Sequence, residues 1–158
     1  MKPPALRPWR HLAPVLLLAA AAVSAADPVT VSDPWVRATA PGQKVAGAYM
    51  ALTSPGGGAL VAAASPVAGV VELHTMKVED GVMKMRAVPR IELPAGQAVK
   101  LAPGGYHIML MDLKRELKPG DGVPIVLTVE GRDRTRTNVE VRAQVREVGA
   151  GAEHPHKH

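Results

Sequence analysis

The sequence predicts an all-β protein, built as one β-sandwich or Greek-key barrel. Three observations lead there. Short runs rich in Val, Leu, Ile and Thr recur along the chain, and Pro/Gly clusters separate them at regular intervals. No stretch sustains a helical period of useful length. Many short strands divided by turn signals, in a domain of this size, are the pattern of sandwiches and barrels.

Taken in order, the strands are expected near 29–32, 34–39, 46–53, 59–64, 69–78, 82–88, 97–101, 106–113, 123–130 and 136–145. The turns between them carry Pro41-Gly42, Ser54-Pro55-Gly56-Gly57-Gly58, Pro94-Ala95-Gly96, Pro103-Gly104-Gly105 and Pro119-Gly120-Asp121-Gly122. The segment Val78-Glu79-Asp80-Gly81-Val82 reads as a hairpin with Asp80-Gly81 as its turn dipeptide. Phenylalanine is absent and Trp35 is the only tryptophan beyond the first 25 residues, so the core must be chiefly aliphatic.

Both ends fall outside this domain. Residues 1–25 have the form of a cleaved signal peptide: Lys2, Arg7 and Arg10 precede an apolar run from Leu12 to Val23, with small residues at Ser24-Ala25-Ala26. The run is short for a membrane span, so stable membrane insertion is not expected. Without a lipobox cysteine, neither is a lipid anchor. Residues 26–147 form the domain, and residues 148–158 read as a flexible tail that carries His154, His156 and His158. Removing the leader takes away three basic residues and no acidic one, which leaves 16 basic against 14 acidic residues and a net charge of +2. That balance makes no case for nucleic acid, and alternating Arg132, Arg134 and Arg136 read as a solvated strand face. The absence of cysteine excludes thiol redox chemistry and the ligand that a blue-copper electron-transfer centre requires.

Function is concentrated in one window. Five of the seven methionines, and the only two histidines of the domain body, lie between residues 74 and 111. They read His74-Thr75-Met76, Met83-Lys84-Met85 and His107-Ile108-Met109-Leu110-Met111. Strand residues two apart share a face, so His74 projects with Met76, Met83 with Met85, and His107 with Met109 and Met111. The hairpin would bring the first two pairs together, and a third strand could deliver His107 and Met109. One methionine alone is more often core filler than ligand, and Met50, with no histidine nearby, is assigned to the core. The joint pattern points instead to a soft-metal site, with Cu(I) the favoured ion because thioether and imidazole suit it.

The spacing His74, ten residues, Met85, twenty-one residues, His107-x-Met109 resembles the copper motif of the periplasmic copper chaperone A family (PCuAC-type). The flanks are similar to that family as well: Gly47-Ala48-Tyr49-Met50, Ser65-Pro66-Val67-Ala68-Gly69, Val71-Glu72-Leu73-His74, Leu93-Pro94-Ala95-Gly96 and Pro103-Gly104-Gly105-Tyr106. The likeness spans about residues 28–145. It implies a cupredoxin-like fold that holds Cu(I) through His74, Met85, His107 and Met109. It also implies a periplasmic protein that delivers copper to the dinuclear centre of cytochrome c oxidase beside a Sco-type thioredoxin-like assembly protein. Met76, Met83 and Met111 are spare thioethers that could serve as accessory ligands. The tail histidines His154, His156 and His158 offer nitrogen donors of the kind that favour Cu(II). The chain shows no nucleophile–base pattern, so it is not read as an enzyme, and it is expected to be a monomer. Sequestration of copper without specific delivery is the alternative function.

Overall fold

A computed structural model of the chain describes residues 28–147. The signal peptide expected at 1–25 and the tail at 148–158, with His154, His156, His158 and any Cu(II) they bind, lie outside the described residues. Within them every regular element is a strand: β1 Thr30–Arg37, β2 Val45–Thr53, β3 Gly58–Ala64, β4 Ala68–Glu79, β5 Val82–Ala87, β6 Ile91–Leu93, β7 Ala98–Leu101, β8 His107–Leu113, β9 Gly122–Glu130 and β10 Arg136–Arg146.

Hydrogen bonding joins the strands into one ten-stranded sheet in the order β5-β4-β8-β2-β1-β10-β9-β3-β6, with β7 paired to the second half of β2. Neighbours are antiparallel except β1 and β10, which run parallel through Trp35–Arg37. The order ends at β5 and β6, so of sandwich and barrel the chain takes the open form, curled over one core. Leu52, Leu60, Ile108, Leu110, Ile125 and Leu127 are all fully buried there and come from both halves of the sheet. The core is aliphatic as composition requires, and Met50 sits inside it at 2 % exposure.

Two elements differ from expectation. The segments expected separately at 29–32 and 34–39 are one strand with a register shift between Ser32 and Trp35. Asp33 takes a left-handed φ of 47° there and Pro34 has no N–H to donate, so the ladder to β2 is interrupted without ending the strand. β6 has no counterpart among the expected strands. It holds only Ile91, Glu92 and Leu93, buried-exposed-buried, ahead of Pro94, which is too short to display a period. Of the alternating arginines, Arg132 and Arg134 lie in the β9–β10 turn rather than on a strand; Arg136 opens β10 and pairs with Glu130.

The β4–β5 hairpin forms at the expected place. Asp80 and Gly81 have φ of 53° and 76°, the pair of positive values that a two-residue type I′ turn demands. This turn sets the register that governs the site.

Candidate metal centre

Directly opposed residues on neighbouring strands project from the same face. Met76 opposes Met85 across β4 and β5. His74 opposes His107, and Glu72 opposes Met109, across β4 and β8. On the far side of β8, Gly47 of β2 also opposes Met109. The intervening residues Leu73, Thr75, Ile108 and Leu110 are buried on the core side. The histidines and methionines therefore occupy the outward face of β5-β4-β8-β2.

Met76, Met85, His107 and Met109 line one depression of about 290 Å³, together with Tyr49, Gly47, Arg37 and Gln43. His74 stands beside it, its ring centroid 5.7 Å from that of His107. The two rings are held by different partners. The Nδ1–H of His107 donates to the carbonyl of Gly105 at 3.0 Å, and the Nε2–H of His74 donates to the Glu72 carboxylate at 2.7 Å. Both acceptors lack a proton to give, so these contacts fix the tautomers and turn the lone pairs to the remaining nitrogens. Those nitrogens, His74 Nδ1 and His107 Nε2, are buried and have no hydrogen-bond partner. A buried polar atom left without a partner is costly, and a metal ion would satisfy both lone pairs at once.

The electrostatics favour that use. His107 is 4 % exposed, and its burial pushes its protonation below the usual imidazole range. The Gly105 carbonyl opposes that shift and the nearby His74 adds to it. The ring is thus a neutral donor near pH 7. Among the described residues no three His, Asp or Glu side chains come together as a metal cage. The available donors are thioether sulfur and imidazole, a set suited to a soft ion of low charge rather than to Mg²⁺ or Ca²⁺.

The spare thioethers separate. Met76 lines the depression, whereas Met83 opposes Val78 at 51 % exposure and Met111 lies between Val45 and Val70. Neither of those two lines it. Exposure grades the candidate donors as well: His107 is buried, His74, Met76 and Met109 are half-buried, and Met85 on the edge strand is 41 % exposed.

Several contributors were not singled out from sequence. Glu72 lies two residues before His74, so strand periodicity alone could have placed it on the same face. Tyr49 and Trp35 have no local signal. Their rings stack with centroids 4.5 Å apart, and Tyr49 lies 6.2 Å from His107, so the pair walls the histidine from one side. Gly47 is required by this wall, because a Cβ there would collide with the Tyr49 ring.

The fold is that of the PCuAC domains, cupredoxin-like structures known in apo and metal-bound forms. The apo PCuAC domain from PmoF1 superposes with a TM-score of 0.62 at 28 % identity, covering 76 % of this chain and 94 % of that one. The solution structure of CuI-DR1885 from Deinococcus radiodurans gives a TM-score of 0.57 at 37 % identity, covering 79 % and 83 %. A family model described as "Putative lipoprotein LpqE-like" matches residues 29–141, and the chain belongs to this LpqE-like family. A curated relative, "Putative lipoprotein Lxx21020" of Leifsonia xyli subsp. xyli (strain CTCB07), is 38 % identical over 103 residues, which are 65 % of this chain and 62 % of the relative.

Proposed function

We propose that this protein is a periplasmic metallochaperone, not an enzyme, that carries one Cu(I) on the outward face of its sheet. Copper is its cargo. His74 through Nδ1, His107 through Nε2, and Met85 and Met109 through sulfur are the assigned ligands, with Met76 as a further donor at the same depression. The observation that carries this reading is the pair of buried, unpartnered imidazole nitrogens beside a cluster of thioethers. The likeness to a domain solved with Cu(I) supports it, and the lipoprotein relatives are consistent with export.

Neutral thioethers fit a carrier in an oxidising compartment. They hold Cu(I) without a proton to lose and do not form disulfides. Release proceeds by ligand exchange. Met85 is the most exposed of the four, on the edge strand, so an incoming cysteine or histidine of an acceptor displaces it first. Met76, directly opposite, keeps a sulfur in place while Met85 leaves. His107, the most buried, lets go last. The acceptor we assign is the copper-bearing subunit of cytochrome c oxidase, with a Sco-type assembly protein alongside, and the carrier acts as a monomer.

The test is transfer. The purified protein loaded with one equivalent of Cu(I) is mixed with an apo oxidase copper domain and separated by size. Movement of the copper to the oxidase domain is expected. Tight retention of that one equivalent would replace delivery by sequestration, and failure to bind Cu(I) at all would remove the reading.

A further inference from the structure

Among the described residues, Arg37 is the only charged one that lines the metal depression. Its position follows from register. Trp35 opposes Tyr49 and Val36 opposes Ala48, so Arg37 comes opposite Gly47, and Gly47 opposes Met109 on the next strand. A row therefore crosses the sheet as Arg37, Gly47, Met109 and Glu72. The second member has no side chain of its own and is overlain by the Tyr49 ring, and the guanidinium and the methionine line the same depression on either side of it.

Arg37 is half-buried, and its Nε is fully buried with no hydrogen-bond partner. Among the described residues it joins none of the ion pairs. Arginine stays charged in proteins, and a partly desolvated guanidinium normally finds a carboxylate or a carbonyl. Here an uncompensated cation is held against a cavity whose donors suit a cation.

We propose that Arg37 is a charge-selectivity residue that biases this site towards a monovalent cargo. The inference rests on the metallochaperone reading and deepens it. Thioether and imidazole select soft ions, but they do not by themselves count charge. A fixed positive charge does, because its repulsion scales with the charge of the metal. Cu(II) meets twice the repulsion that Cu(I) meets, at the same position and with the same donors. The carboxylate facing the site from the other end of the row is Glu72. Its side chain is 45 % exposed and engaged by His74, so water screens it more than it screens Arg37.

The magnitude follows from Coulomb's law. Two strand spacings place the guanidinium on the order of 10 Å or less from the metal. At an effective dielectric near 20, that repulsion corresponds to about a tenfold change in affinity per unit of metal charge. Arg37→Gln should therefore tighten Cu(I) by about tenfold and Cu(II) by about a hundredfold. The ratio of the two affinities, read directly as the reduction potential of the bound copper, should move about tenfold towards Cu(II). Arg37→Lys keeps the charge and should stay near wild type. Gln43→Glu leaves Arg37 in place and sets a carboxylate at the same depression, and it should shift the ratio in the same direction as Arg37→Gln. The redox-inert pair Ag(I) and Cd(II) gives a second readout: Arg37→Gln should gain Cd(II) binding relative to Ag(I).

Three results would overturn the assignment: an unchanged Cu(II)/Cu(I) ratio in both Arg37→Gln and Gln43→Glu, a shift in Arg37→Lys as large as in Arg37→Gln, or an unchanged Cd(II)/Ag(I) ratio. A purely structural role for Arg37 would alter both oxidation states alike. If wild-type protein took up no Cu(I), the metallochaperone reading itself would fail, which is a separate outcome.

Discussion

Gly47→Ala tests whether the wall behind His107 is as tight as it looks. A Cβ at this position would overlap the Tyr49 hydroxyl and lie 2.8 Å from ring carbon Cζ and 3.2 Å from Cε2. Ordinary contact needs more than 3.4 Å, so the ring must retreat by roughly half an ångström or more at Cζ, and further at the oxygen. It has little room, being 8 % exposed and stacked on Trp35 at 4.5 Å with His107 on its other side at 6.2 Å. Overpacking of this kind costs about 1–3 kcal/mol. For a domain of this size that lowers Tm by roughly 4–12 °C. Thermal unfolding of the metal-free protein measures it. The same substitution in a Tyr49→Leu background should cost less than half as much, since the obstacle is gone, with a coupling of about 1 kcal/mol or more. A Gly47→Ala protein that melted with wild type would refute the argument. So would an equal cost in both backgrounds, which would trace the effect to the backbone rather than to the ring.

Three further expectations concern the donors. Met85→Leu with Met109→Leu roughly preserves volume and apolarity, so the fold should survive while competition with a Cu(I) chelator shows collapsed affinity; wild-type affinity in that double variant would contradict the ligand assignment. Glu72→Ala removes the group that orients His74 and should weaken Cu(I) about 10- to 100-fold, with Glu72→Gln retaining an acceptor for the imidazole N–H and losing less; equal affinity in all three proteins would show that the Glu72 contact does not orient a ligand. The last expectation is a pH dependence. His107 is buried as the neutral ring, so its folded value lies below the unfolded 6.5. Its contribution to the stability of the metal-free protein is complete above 6.5 and is lost as pH falls from there through the folded value. Urea unfolding of wild type and His107→Gln across that window should show the difference in slope, and parallel profiles would exclude it.

Local periodicity and turn chemistry carry a long way in this chain. Val/Leu/Ile/Thr runs between Pro/Gly clusters suffice for the all-β class, because each strand announces itself within its own few residues. Asp80-Gly81 suffices for the β4–β5 hairpin, because two consecutive positive φ values are costly for most other residues. The same-face pairing of His74 with Met76, and of His107 with Met109, follows from a period of two and needs no tertiary information.

What folding alone decides is which strands become neighbours. Nothing within β8 says that it will lie between β4 and β2, yet that adjacency sets His107 against His74 and Gly47 against Met109. It is chosen by the burial of Leu73, Ile108 and Leu110 on the core side, a property of the whole sheet. Register also sets Met76 opposite Met85 at the depression while Met83 and Met111, of the same type and similar spacing, oppose valines and fall outside it. β6 stays hidden for a related reason: three residues have no period, and only the free edge of β3 gives them a partner. Arg37 is the farthest from legible. It lies 37 positions before His74 and 72 before Met109, and only the β1–β2–β8 register brings its charge to the methionine. A sequence displays the donors of a site because they repeat along a strand. It conceals the charge that faces them across the sheet, because that contact is long-range and is fixed only when the core closes.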